Sequence, residues 1–398
     1  VMAFDVARVR GAYTSITGGW TYMNAQQQAQ IPERVAAAVA RGFRNSPIVE
    51  DVEPAFGSHA RERHAGLFAS DGYERSARVA IADLTGTSAD AVILGPNLEV
   101  LFSQFAAAVW PLVRRGSSVV MAHGCSPAMT VGAKTRWAQP DLGTGEIPAW
   151  QFGSLVDGST RLVALRASDP QVGTINPIRE ISEYVHGASR AWLLVDASSL
   201  AGHRPITMEA LGADIVALDC SAFGGPQVAA LAFRDATMFP RLDADLLNGS
   251  VAPGLAAGVS AAVDHIADLD ESVRGTRRNR LVDSIESAGL YLGRLGTYLA
   301  DSLDSLPKTH VFGVTGEAAA GSDADRIPHV TFCIDGVPAD LIYHRLLSNR
   351  IVGALSASSP LLDAMGAEDT HGTISLALAP FNTTHDVDQL MRVVASFA

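Results

Sequence analysis

Asp219-Cys220-Ser221-Ala222-Phe223-Gly224-Gly225-Pro226 is the stretch on which the reading of this chain turns. It separates two short apolar runs, residues 214–218 and 228–233, and its glycines and proline mark a turn between them,. Further short runs rich in Val, Leu and Ile lie at residues 91–94, 118–121, 161–165 and 191–195. Runs of this kind, apolar on both faces, suit a mostly parallel sheet covered by helices. Helical patterns such as residues 177–186 separate several of them, which implies strand–helix–strand crossovers. From residue 274 a long helical stretch runs to 306, ahead of short patterns at 330–334, 338–348, 351–355 and 373–379 and a last helix from Asp386. That second region reads as a smaller α+β domain. Ala252-Pro253-Gly254 reads as a loop between the two, and residues 317–325 as a small, polar stretch,.

Composition bounds the function. A chain of 398 residues is too long for one small core, and 47% hydrophobic with 18% charged residues describes a well-buried globular protein,. The net charge of -12 argues against nucleic acid or an anionic membrane as a partner,. Cys125, Cys220 and Cys333 are odd in number and far apart, so a disulfide framework is not expected and a reducing cytoplasm is,. No signal-peptide pattern opens the sequence. The longest apolar run, residues 100–113, contains Ser103, Gln104 and Pro111 and is too short to span a bilayer, so it reads as a buried helix,. Asp196, His203 and Asp219 are too irregularly spaced for a metal-ligand set, and Gly224-Gly225 lacks the spacing of a dinucleotide fingerprint,.

The octapeptide resembles the Ser-x-x-Lys-x-x-Gly-Pro segment of class V aminotransferases and cysteine desulfurases, whose lysine forms a Schiff base with pyridoxal phosphate (PLP). Three residues on from Ser221 is Gly224, and three back from Gly225 is Ala222, so the loop is two residues short of that pattern. The chain has only two lysines, Lys134 and Lys308, and neither is near. The resemblance runs in order through almost the whole chain. Tyr22-Met23-Asn24-Ala25 with Gln30-Ile31-Pro32 resembles the family's opening, with Asn24 where aspartate is usual. Glu74 to Gly86 is similar to the helix before the phosphate-binding turn, and Asn97 lies in that turn. Ser168-Asp169 with Gly173-Thr174-Ile175-Asn176-Pro177, Val195-Asp196-Ala197 with His203, and Phe381-Asn382-Thr383 match later motifs. Together they identify the chain as similar to the PLP-dependent transferase fold type I. The expected architecture is α/β, a large domain with a mostly parallel mixed sheet covered by helices at residues 21–265. A smaller α+β domain is expected from residues 1–20 and 266–398.

The resemblance also implies site roles. Asp196 would pair with the pyridinium nitrogen and make the ring an electron sink; the structural alternative is a helix N-cap. Ser221 would donate to the phosphate, as would Ser250, in an Asn248-Gly249-Ser250 segment similar to one that reaches the partner subunit's cofactor. His123, or Cys125 in another register, falls where the family stacks a histidine on the ring. His203 matches the motif after Asp196.

Against these stand substitutions at the chemistry. Leu98-Glu99 replaces Ala-Thr in the phosphate turn. Were Glu99 to face a phosphate 4 Å away at an effective dielectric near 20, repulsion would be about 4 kcal/mol, roughly a thousandfold in affinity. Ser375 falls at the carboxylate-binding arginine, Ala357 before Ser358-Ser359-Pro360 at the nucleophilic cysteine, Asp169 at an asparagine and Ser199 at a glutamine. Backbone glycine or alanine supplies no amine, and alanine carries no persulfide. The expectation is a homodimeric protein without PLP Schiff-base catalysis, acting as a binding or assembly component. The alternative is an aminotransferase or lyase that holds PLP or pyridoxamine phosphate non-covalently, with His123 or His203 as base. A third reading places unrelated chemistry in the old cleft.

Overall fold

A computed structural model of the protein describes residues 4–50, 66–247 and 249–397. Seven strands form the main sheet: β1 (Val92–Gly95), β2 (Ser118–Ala122), β3 (Lys134–Ala138), β4 (Thr160–Arg166), β5 (Trp192–Asp196), β6 (Ile215–Asp219) and β7 (Ala229–Phe233). Their order is β1-β7-β6-β5-β4-β2-β3, parallel throughout except that β7 runs antiparallel to both neighbours. The octapeptide is the tight turn that reverses the chain from β6 into β7, and Asp219 caps its short 3-10 helix, Cys220–Phe223.

Strand alternation sorts the sheet into two cores. Val120, Val163, Leu193, Val195, Val216 and Leu218 point to one face. There they pack against helices α1 (Ala69–Thr85), α2 (Ile178–Ala188) and α3 (Pro253–Ala267), through residues such as Ile81, Ile181 and Val259. Val119, Met121, Leu162, Leu194 and Ile215 point to the other, under Leu101, Phe102 and Phe105 of the helix Leu98–Ala108. The same alternation hid β3 from pattern reading. Lys134, Thr135, Arg136 and Trp137 are all at least partly exposed on an edge strand, where charge discourages pairing with another chain,.

The second sheet is antiparallel, β8 (Thr309–Phe312), β9 (His329–Ile334), β10 (Ala354–Leu355) and β11 (Ile374–Ala377) in the order β8-β9-β11-β10. Helix α4 (Arg277–Asp304) serves both bodies: Leu281, Ile285 and Ala288 enter the main core, while Leu292, Leu295 and Leu299 pack with Phe332 and Leu376 in the smaller one. At the N-terminal end, Val9, Tyr13 and Ile16 pack into the main core. The chain then pairs Thr21–Tyr22 with Ile351–Val352, and Asn24 bridges to Ala377. This tether lays residues 25–31 across the ends of β5 and β6. Among the described residues no helix is long and apolar enough to cross a membrane.

Candidate functional site

Arg166 ends β4, Asp196 ends β5 and Asp219 ends β6. The period of two places all three on the face beneath the helix Leu98–Ala108, because Ala164, Leu194 and Ala217, two residues earlier on each strand, belong to that core,. Arg166 is the register partner of Asp196, which in turn pairs with Ala217. Three charged side chains therefore stand in a row at the carboxyl ends of adjacent parallel strands, the place where open sheets of this kind hold ligands.

The carboxylates are fixed by the turns that follow them. Asp196 Oδ1 accepts the Ser198 amide at 3.1 Å and the Ser198 hydroxyl at 2.6 Å, while its Oδ2 lies 3.9 Å from Arg166 Nε. Asp219 Oδ1 accepts the Ser221 amide at 2.9 Å and the Ser221 hydroxyl at 2.7 Å. Among the described residues Asp219 has no ion pair.

These groups open onto a cavity of about 640 Å³. Residues 26–31 form one wall, residues 221–227 another, and Tyr13, Phe381 and Leu98 add apolar surface. Three histidines complete the lining. His203 and His329 meet edge to face with ring centroids 5.6 Å apart. His329 donates from Nδ1 to the Pro170 carbonyl at 3.3 Å, whereas the buried Nδ1 of His203 has no hydrogen-bond partner. Burial drives both pKa values down, to about 3 for His203, with His329 and Arg204 adding to the effect, and to about 4 for His329,. His265 is held at about 4, again chiefly by burial, and shares a 2.8 Å hydrogen bond with the Tyr13 hydroxyl. All three are uncharged at neutral pH. Among the described residues no cluster of His, Cys, Asp or Glu has the makings of a metal site.

Of the residues singled out from sequence, Leu98, Asp196, Ser199, His203, Ser221, Ala222 and Gly224 line this cavity. Asn97, Glu99, His123, Cys125, Asp169, Ser250, Ala357 and Ser375 do not. Asn97 caps the helix Leu98–Ala108 through the Val100 amide, and Glu99 accepts a 2.8 Å bond from Ser126 outside the cavity. The charge repulsion considered for Glu99 therefore has no part here. Asp169 closes its own turn on the amides of Gln171 and Val172. Ser375 is buried in a hydroxyl network with Thr331, Ser356 and the Gln171 side chain, which ties the small sheet to the main domain. Cys125 bonds the Ala164 carbonyl, and burial raises its thiol to about 12. Asn248 lies outside the described residues. Sequence reading missed Arg166, His265, His329 and Tyr13. Arg166 had a signal, since extending the β4 alternation by one step puts it beside Asp196.

Comparison with known proteins agrees with this architecture. The aminotransferase class-V family profile matches residues 125–240, which span β3 to β7 and the octapeptide. The uncharacterized protein MT3887 of Mycobacterium tuberculosis is 35% identical over 99% of this chain and 100% of its own length. The cysteine desulfurase IscS 1 of Archaeoglobus fulgidus is 30% identical over 59% of this chain and 60% of its own. Among solved structures, the Escherichia coli cysteine desulfurase CsdA superposes with a TM-score of 0.78 at 18% identity, covering 99% of this chain and 98% of that one. Over residues 125–240 this chain is similar to the class V aminotransferases. The fold is the PLP-dependent type I fold, and the likeness implies PLP as the cofactor to be tested against the residues of the cavity.

The residues lining the cavity do not fit PLP. Among the described lining residues there is no lysine: Lys134 sits on the far edge strand and Lys308 in the turn before β8. Asp196, the family's partner for the ring nitrogen, already has the Arg166 guanidinium beside Oδ2 and Ser198 on Oδ1. Ser221, the expected phosphate donor, spends its hydroxyl on Asp219. Arg166, Asp196 and Asp219 give the lining two carboxylates against one guanidinium, a balance that does not favour an anion,.

Proposed function

We propose that this chain performs no Schiff-base chemistry on PLP and uses the cleft at the strand ends to bind a small polar molecule. The observation that carries the reading is the makeup of the turn after β6. Ala222 lines the cavity at the position three before Gly225, and no amine is available to form or regenerate an imine,. The cavity has a volume of about 640 Å³, inside the range typical of small-molecule sites,. A ligand-binding or assembly role accounts for a kept cleft and absent catalytic groups.

We further propose a cytoplasmic homodimer. Three free cysteines fit a reducing compartment,. Exposed Phe43, Ile48, Val49, Leu67 and Phe68, from neighbouring stretches of the N-terminal region, supply apolar surface for a second copy,.

An absorbance scan and a mass spectrum of the co-purified ligand test the reading together, followed by borohydride treatment in the presence of PLP. The expected result is no visible chromophore and no pyridoxyl group between Asp219 and Pro226. A reduced adduct on that segment, or stoichiometric non-covalent PLP, overturns the proposal.

A further inference from the structure

We infer that the cleft selects a small organic cation, a protonated primary amine, held by the carboxylate of Asp219. This rests on the reading above that the cleft binds a molecule other than PLP. Among the described residues three ionised side chains line the cavity: Arg166, Asp196 and Asp219. The histidines add no charge at neutral pH, since burial holds their pKa values at about 3 to 4. Arg166 stands beside Asp196 at 3.9 Å, which leaves one carboxylate unmatched. That carboxylate is Asp219.

Its hydrogen bonds show which oxygen is free. Both bonds from Ser221 end on Oδ1, where they cap the Cys220–Phe223 turn. Capping accounts for Oδ1, while among the described residues Oδ2 accepts no hydrogen bond and makes no ion pair, and Asp219 lines the cavity. A half-buried carboxylate with one oxygen open and no counter-ion gains from a ligand that brings one positive charge and N–H donors. An anionic ligand gains less, because the one guanidinium among the described lining residues stands beside Asp196. Phe223, Tyr13 and Phe381 line the same space and suit the alkyl portion and the ammonium of an amine,. The chemistry of the cleft is thus inverted from that of a cofactor-phosphate site: it lacks a cation where an anion binder needs one, and keeps a carboxylate to spare.

The test uses three probes of equal size, n-butylamine, butan-1-ol and butyrate, titrated against the purified full chain by ligand-observed NMR. Butylamine is expected to bind about tenfold more tightly than either other probe. Asp219→Asn keeps an oxygen for the Ser221 amide and therefore the turn, and is expected to weaken butylamine about tenfold while leaving butan-1-ol unchanged. Arg166→Met removes the only positive charge from the lining and is expected to strengthen butylamine. Equal binding of all three probes overturns the inference, as does an Asp219→Asn protein of unaltered thermal unfolding that binds butylamine as well as the parent. Tight PLP binding would overturn the reading of the cleft itself, whereas a protein that binds neither PLP nor butylamine overturns only the cation selectivity.

Discussion

The Nε of Arg166 stands 3.9 Å from Oδ2 of Asp196, across the register-paired ends of two parallel strands. The pairing gives Asp196 its counter-charge from within the protein. In a site built for a pyridinium ring that counter-charge would come from the ring, so the strength of the Arg166 pairing bears on how freely Asp196 can turn to a ligand.

A double-mutant cycle measures how much the pair contributes to the fold. Arg166 is more than a third exposed at its side chain and the contact is an ion pair without a hydrogen bond, so solvent screens it,. Arg166→Met, Asp196→Asn and the double variant, compared by urea unfolding, are expected to give a coupling of about 0.5 kcal/mol. A coupling several times larger would mean that the pair is a buried structural element and that Asp196 cannot be released for a ligand.

The turn after β6 makes a sharp distinction between two ways of returning a lysine. Gly224 has φ +81°, and a Cβ there would lie 2.8 Å from the Gln30 carbonyl oxygen, so any side chain is strained by both conformation and contact,. Ala222 has no such constraint and already lines the cavity. Gly224→Lys is expected to lower stability by about 2 kcal/mol, whereas Ala222→Lys is expected to leave it within about 0.5 kcal/mol. Ala222→Lys alone is not expected to take up PLP, because Asp219 and the Arg166 pairing remain. Urea unfolding with a PLP absorbance titration reads both outcomes. PLP uptake by Ala222→Lys alone would show that only the amine was missing.

The sheet was legible because six of its strands are apolar on both faces and bounded by turn residues. Each of those six lies within one residue of its expected ends, as with 161–165 against Thr160–Arg166. The edge strand Lys134–Ala138 was not, since an edge strand with one wet side has no apolar signature. The site divided in the same way. Positions carried by motif order, such as Asp196 and Ser221, fell in the cleft. His329 and Tyr13 come from segments remote in sequence, and only the tertiary fold brings them in. Ser375 shows a limit of counting along the chain: it is buried in a hydroxyl network rather than at the cavity, and no spacing rule predicts the Gln171 side chain as its partner.

Assembly can be tested on the exposed apolar residues near the N-terminus. Phe43, Val49 and Phe68 are 50%, 58% and 53% exposed, more than a solvated surface usually leaves in one region,. Sedimentation at micromolar concentration is expected to give a dimer, and Val49→Arg with Phe68→Arg is expected to shift it to monomer while preserving the circular dichroism of the fold. A parent protein that sediments as a monomer would rule the dimer out.

Stability should fall with pH well before the carboxylates titrate. His203, His265 and His329 have pKa values of about 3, 4 and 4 in the fold against 6.5 for a free histidine, with burial the main cause in each. Below pH 6.5 the unfolded chain therefore takes up protons that the folded chain refuses, so the histidine contribution is complete above that pH and is lost as pH falls toward 4. Each is expected to cost roughly 2 kcal/mol by about pH 4.5. The carboxylates lowered by hydrogen bonds, Asp157, Asp235 and Asp270, are still ionised over that window, and Glu146, raised by burial and by Glu180 and Asp141, acts in the opposite sense. Urea unfolding at neutral pH and at about pH 4.5 measures the loss, and His329→Gln, which keeps an amide donor for the Pro170 carbonyl, should reduce the slope by about one proton,. A stability that does not change across this window would mean that the histidines titrate freely, and the cleft would then carry positive charge in acid and lose its preference for a cation.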